Sequence, residues 1–194
     1  MGTRHLICVY YKRRFALAQY GQWDGYPQGQ GRDIYHWIWK NHGNIIRLKR
    51  GLSHVRVLTT EAVRTQFSNA LLPASLSRDT GSKIFELVAC AKADEPVDVV
   101  LELDFVNDGL FCEWAYVLDL DDEVLEVWTG HVANLEGLEP SIQGSDRFKE
   151  VGGGHLGLVK SYGLADLPDT DGAFVDELQL RLEGDTGPGE DEDM

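Results

Sequence analysis

Two short apolar runs, His5–Tyr10 and Phe15–Tyr20, flank the basic turn Lys12-Arg13 and predict a pair of strands joined as a hairpin. The period then changes. From about Arg32 to His42 the pattern is helical, with Asp33 in the first turn and Lys40 and His42 in the last. Gly43 is placed to end that helix in the left-handed conformation. A second helix is expected from about Glu61 to Leu72. Val63, Phe67, Ala70 and Leu71 form its stripe, Thr59 or Thr60 caps it and Pro73 stops it. A third, Ser82 to Ala91, buries Ile84, Leu87, Val88 and Ala91 by the same spacing.

Beyond residue 95 the period falls to two. Val99, Leu101, Leu103 and Phe105 alternate with Asp98, Glu102 and Asp104, which predicts a half-buried strand. The sharpest local pattern runs from Cys112 to Thr129. Asp121-Asp122 as a two-residue turn pairs Leu118 with Leu125 and Tyr116 with Val127, and puts Cys112 and Trp114 on the same apolar face. Glu113 and Glu126 then point away from the helices, and Glu126 is expected at an exposed position. Leu156–Tyr162 and Phe174–Leu182 read as further strands, the second from its alternating Leu178, Leu180 and Leu182. Helices early and hairpin-linked strands late predict an α+β fold, an antiparallel sheet with helices packed on one face. One globular domain is expected over residues 1–183, followed by a disordered acidic tail at 184–194.

Charge changes this picture in one respect. The 194 residues carry 18 Lys and Arg against 32 Asp and Glu, a net charge of −14. Residues 1–83 alone are net +9, and residues 84–194 are net −23. The overall sign excludes a dedicated nucleic-acid binder, whose affinity rests on neutralising phosphates. No apolar run approaches the ~20 residues a membrane-spanning helix needs. Arg4 and His5 interrupt the pattern of a secretory leader. Cys8, Cys90 and Cys112 are widely spaced among apolar neighbours, as expected of buried reduced thiols in a cytoplasmic protein.

Candidate chemistry concentrates in the loop Gly21–Gly31, where two aromatics, one acid, three glutamines and four glycines fill eleven residues. Glycines let a backbone approach a ligand closely. The spacing is not that of a phosphate loop, and Asp24 and Asp33 would repel a phosphate, so a neutral polar group such as an amide or a sugar suits it better. Leu76–Gly81 is the second segment. There Asp79 or Thr80 is expected to cap the third helix, which leaves Arg78 to clamp a carboxylate. The acids at 119–123 lack the spacing of a calcium loop, and the histidines lack paired metal-ligand spacing, so neither metal nor cofactor is expected.

Four stretches taken together, MGTRHL at the start, AQYGQWDGYPQGQG at 18–31, LSRDTG at 76–81 and CEWAYVLDLDDEVLEVW at 112–128, carry a resemblance. They resemble an uncharacterised protein family of filamentous fungi and tailed phages, and the likeness implies no activity. In its opening strand, hairpin and polar loop the chain is also similar to N-terminal-nucleophile hydrolases. That similarity implies a layered α+β fold and a Cys, Ser or Thr nucleophile at the mature amino terminus. Here removal of Met1 exposes Gly2, and Thr3 or Cys8 would need further trimming.

Two functions compete at this point. One is a small enzyme acting on a polar small molecule, with amide hydrolysis the leading chemistry. Its pocket would lie between loop 21–31 and segment 76–81. Arg4 and Arg78 would hold a substrate carboxylate, His5 or Asp24 would move the proton, and Gln22, Tyr26 and Gln28 would orient the polar group. The other is a non-catalytic module for a protein partner, suggested by the split in charge. An enzyme gathers His5, Asp24 and Arg78 around one concavity; a binding module scatters them.

Overall fold

The computed structural model describes residues 2–40, 43–130 and 146–183. The expected tail at 184–194 and the expected helix end at His42 lie outside these. The fold is α+β. Five strands form one mostly antiparallel sheet in the order β2-β1-β5-β6-β7, with β1 His5–Tyr10, β2 Phe15–Gly21, β5 Trp114–Asp119, β6 Val124–Thr129 and β7 Gly157–Gly163. Only the central β1–β5 pair is parallel. A separate parallel pair, β3 Val55–Val57 and β4 Val97–Val99, is pinned by a bidentate bridge from Arg56 to Asp98.

The helices are α1 Arg32–Trp39, α2 Gly43–Gly51, α3 Thr60–Gln66, α4 Lys83–Ala89 and α5 Asp171–Glu183. Four of them cover one face of the sheet. Ile34, Tyr35 and Ile38 of α1, Leu48 of α2, Ile84, Phe85 and Val88 of α4, and Phe174, Val175 and Leu178 of α5 pack on Ile7, Val9, Leu17, Trp114, Tyr116, Leu118, Leu125 and Val127. The opposite face is also buried. There Leu6, Cys8, Ala18, Ala115, Val117 and Trp128 meet Val106 and Phe148, which come from two 3₁₀ segments, Leu103–Asn107 and Asp146–Val151. The fold therefore has a helical layer, a sheet and a thin irregular layer. Among the described residues no helix is long and apolar enough to cross a membrane.

The register of β5 and β6 is the expected one, Leu118 opposite Leu125 and Tyr116 opposite Val127. The turn is longer than two residues. It spans Leu120–Glu123, with Glu123 at φ 54°, and Asp119 accepts the N–H groups of Asp121 and Asp122. A four-residue and a two-residue turn share the same centre, so pairing is unchanged. Asp121 in turn accepts the N–H groups of Lys12 and Arg13, tying the tip of the first hairpin to the second.

Several expectations are corrected. Residues 174–182 are helical, because the buried set Phe174, Val175 and Leu178 follows a period of 3.6 while Leu180 is exposed. Thr170 Oγ1 accepts the N–H of Ala173 at the start of this helix. The strand expected over 99–105 ends at Val99, and Leu103–Asn107 turns tightly to cover the sheet. Gly43 opens α2 instead of closing α1. Thr59 caps α3 as expected, but the helix stops at Gln66 and its stripe is not buried, with Leu71 fully out in solvent. Cys112 packs on the irregular layer instead of the helical one, and Cys90 is exposed. Glu126 does point away from the helices, yet the second layer buries it.

Candidate functional site

The first strand begins with a histidine on the helical face of the sheet, in register with Trp114 on β5 and Gly21 on β2. His5 is 1% exposed. Its neighbour Gly21 must be glycine, since a Cβ there would fall 2.1 Å from His5 Nε2. Neither ring nitrogen makes a hydrogen bond. Burial lowers the imidazole from 6.5 to about 4, outweighing the Thr3 carbonyl and the Asp24 carboxylate, which raise it. At neutral pH this is an uncharged imidazole with one free donor and one free acceptor.

His5 belongs to the lining of a cavity of about 340 Å³. Its walls come from the two glycine-punctuated segments. Loop 21–31 and the start of α1 supply Asp24, Gln30 and Asp33; residues 78–83 supply Arg78, Asp79 and Lys83. Three hydrogen bonds fix the walls against each other. Gln22 N–H donates to the Arg78 carbonyl at 3.1 Å, the Trp23 indole donates to Asp79 at 2.9 Å, and the Ser82 N–H donates to Gln30 Oε1 at 2.8 Å. The last bond explains a misreading of the α4 cap. Asp79 serves Trp23, the Thr80 hydroxyl donates to the Ala74 carbonyl, and Gln30 reaches across from the other segment to satisfy the N–H of Ser82. Gly81 beneath it holds φ 53°, a left-handed conformation in which a Cβ would strike Gln30.

His5, Asp24 and Arg78 thus share one concavity. Arg4, Gln22, Tyr26 and Gln28 do not line it. Arg4 lies with its guanidinium 4.2 Å from the Phe111 ring centre and lines a separate cavity with Tyr20, Glu102 and Phe105. Gln22 contributes only its backbone bond to Arg78. Tyr26 is 39% exposed and donates to Asp24 at 3.1 Å, a bond that raises its own phenol above the ordinary range. Gln28 sits in the π-helical turn Pro27–Gly31 that leads into α1. Asp33 was legible as a first-turn charge and, with Asp24, as a group that would repel a phosphate; Lys83 was not singled out. Among the described residues no group of three His, Cys, Asp or Glu side chains could hold a metal ion.

The buried neutral imidazole has a measurable consequence. A histidine with its pKa lowered on folding takes up a proton more readily when unfolded, so the folded state loses stability as pH falls from about 6.5 through about 4. The loss attributable to His5 should approach about 3 kcal/mol below that window. Unfolding free energies of the wild type and His5→Asn across pH 7 to 4 should converge as pH falls. Parallel curves would show that the ring is solvated. Comparisons with known protein families, with characterised proteins and with solved structures found no match to this chain.

Proposed function

We propose that the protein binds and acts on a small polar molecule in the cavity that His5 lines, and that the group it reads there is a carboxamide. The observation that carries this is His5, buried with both ring nitrogens unpartnered, in the lining of a cavity that also includes Asp24 and Arg78. A buried polar group without a partner costs about 1–3 kcal/mol, and a ligand supplying that partner recovers the cost. A neutral imidazole offers one N–H and one lone pair. A carboxamide carries both a carbonyl acceptor and an N–H₂ donor, so it can pair with a ring nitrogen in either of its states. The rim of charged side chains favours a polar molecule over an apolar one. Amide hydrolysis is the chemistry these groups serve, with His5 accepting the proton of an attacking water and returning it to the leaving amine. With its pKa near 4 the ring is a weak base at neutral pH, so binding and turnover are separate measurements.

Mass spectrometry of small metabolites retained by the purified full chain tests the proposal. Polar amide-bearing molecules should be retained by the wild type and lost from both His5→Asn and Arg78→Gln. Identical profiles for all three proteins would overturn it.

A further inference from the structure

The charges around the His5 cavity differ in sign between its two walls, net negative on one and net positive on the other. Asp24 and Asp33 stand on the side built by loop 21–31 and α1, whereas Arg78 and Lys83 stand on the side that leads into α4. Asp79 stands on the side of Arg78 and Lys83 and keeps its negative charge while accepting the Trp23 indole N–H, so that side is net positive by one charge. Among the described residues no ion pair joins any of these side chains, although all line one cavity of about 340 Å³. The hydrogen bonds of Gln22, Trp23 and Gln30 to the opposite segment lock the two sides to each other, so the placement of these charges is part of the framework. Beneath this rim lies the one nine-tenths-buried group in the lining that has no partner, His5.

Electrostatics narrows what fits. An anion with no positive group would face Asp24 and Asp33; a cation with no negative group would face Arg78 and Lys83. A neutral molecule would strip water from charges of both signs and replace it with nothing. A molecule carrying both charges at opposite ends satisfies both sides. We infer that the cavity takes a zwitterion of amino-acid size, its ammonium toward Asp24 and Asp33, its carboxylate toward Arg78 and Lys83, and its uncharged polar end on His5. This rests on the cavity being a ligand site and specifies the class of ligand. The volume sits at the lower end of the range for small-molecule pockets, in keeping with a ligand of amino-acid size. Arg78 is the residue suited to a carboxylate, since its planar fork can donate two parallel hydrogen bonds.

The test is calorimetric titration of the full chain at pH 7 with three probes that share a carboxamide. L-glutamine carries both charges, 5-amino-5-oxopentanoate lacks the ammonium, and 4-aminobutanamide lacks the carboxylate. L-glutamine should bind about ten- to a hundredfold more tightly than either trimmed probe, the range expected for one charged hydrogen-bonded contact. Arg78→Gln should bring L-glutamine down to the level of 4-aminobutanamide and leave the latter unchanged. Asp33→Asn should do the same with respect to 5-amino-5-oxopentanoate. Both side chains are on the exposed rim, so these variants keep the core intact. If a trimmed probe binds as well as L-glutamine, the zwitterion is overturned while the carboxamide reading stands. If none of the three binds or moves the His5 ring resonances, both are overturned.

Discussion

Replacing Trp114 by alanine should lower the unfolding free energy by about 3–5 kcal/mol, a large part of what a domain of this size possesses. Trp114 is 6% exposed at the start of β5, on the face that packs against the helices. It stands between His5 on β1 and Thr129 on β6. Strands on both sides fix its backbone, so the surrounding structure can collapse only partly into the space an indole leaves. The void would open beside the His5 ring. Water entering it would relieve the desolvation that holds the imidazole near 4 and move its titration up toward 6.5. Urea unfolding and an NMR titration of the His5 ring read the two effects separately. A loss under about 1 kcal/mol with an unmoved titration would mean that Trp114 does not close that end of the core.

The parts of the fold that were legible in the sequence are those in which local pattern and tertiary environment agree. The register of β5 and β6 was legible because alternation on both strands and the turn centre all select one pairing. A longer turn about the same centre could not shift it. The helix at 171–183 was misread because Leu178, Leu180 and Leu182 mimic a strand when taken alone. The spacing of Phe174, Val175 and Leu178, together with Thr170 as a cap, carried the helical signal. Glu126 was correctly placed away from the helices but wrongly taken as exposed. Its cover, Arg147 and Phe148, comes from a segment 21 and 22 residues further along, and period-two alternation carries no information about a third layer.

The site divides in the same way. Loop 21–31 and segment 76–81 stood out because glycines and polar side chains interrupt otherwise apolar patterns, and Asp24 and Arg78 follow from that. Arg4 was misplaced for a geometric reason. Successive side chains along an extended chain point to opposite faces, so with His5 on the helical face Arg4 is carried to the other, where it meets Phe111. Asp33 already had a local explanation as an acid at a helix start, and Lys83 carried no signal of its own. Only the juxtaposition of α1 and α4 reveals that they border a common cavity.

Arg147→Ala should be as damaging as the loss of Trp114, about 3–5 kcal/mol, through charge instead of volume. The guanidinium is 13% exposed and donates to both oxygens of Glu126, at 2.9 and 2.5 Å. It lies 2.7 Å from Asp119 Oδ2, off the donor axis, as a charge contact, and 4.6 Å from the centre of the Tyr10 ring. Burial opposes its charge, but the two carboxylates hold it protonated even more firmly than an ordinary arginine. Removing it strands Asp119 and Glu126, which are 1% and 8% exposed at their side chains, in the same pocket without a counter-ion. Glu126→Gln is the milder change. It leaves Arg147 against Asp119, and its amide oxygen can still accept the Trp128 indole N–H that Glu126 now accepts at 3.0 Å. Denaturant unfolding of both variants at pH 7 checks the order. If Arg147→Ala proves milder than Glu126→Gln, then the segment Asp146–Val151 does not seal this face, and the two carboxylates are solvated.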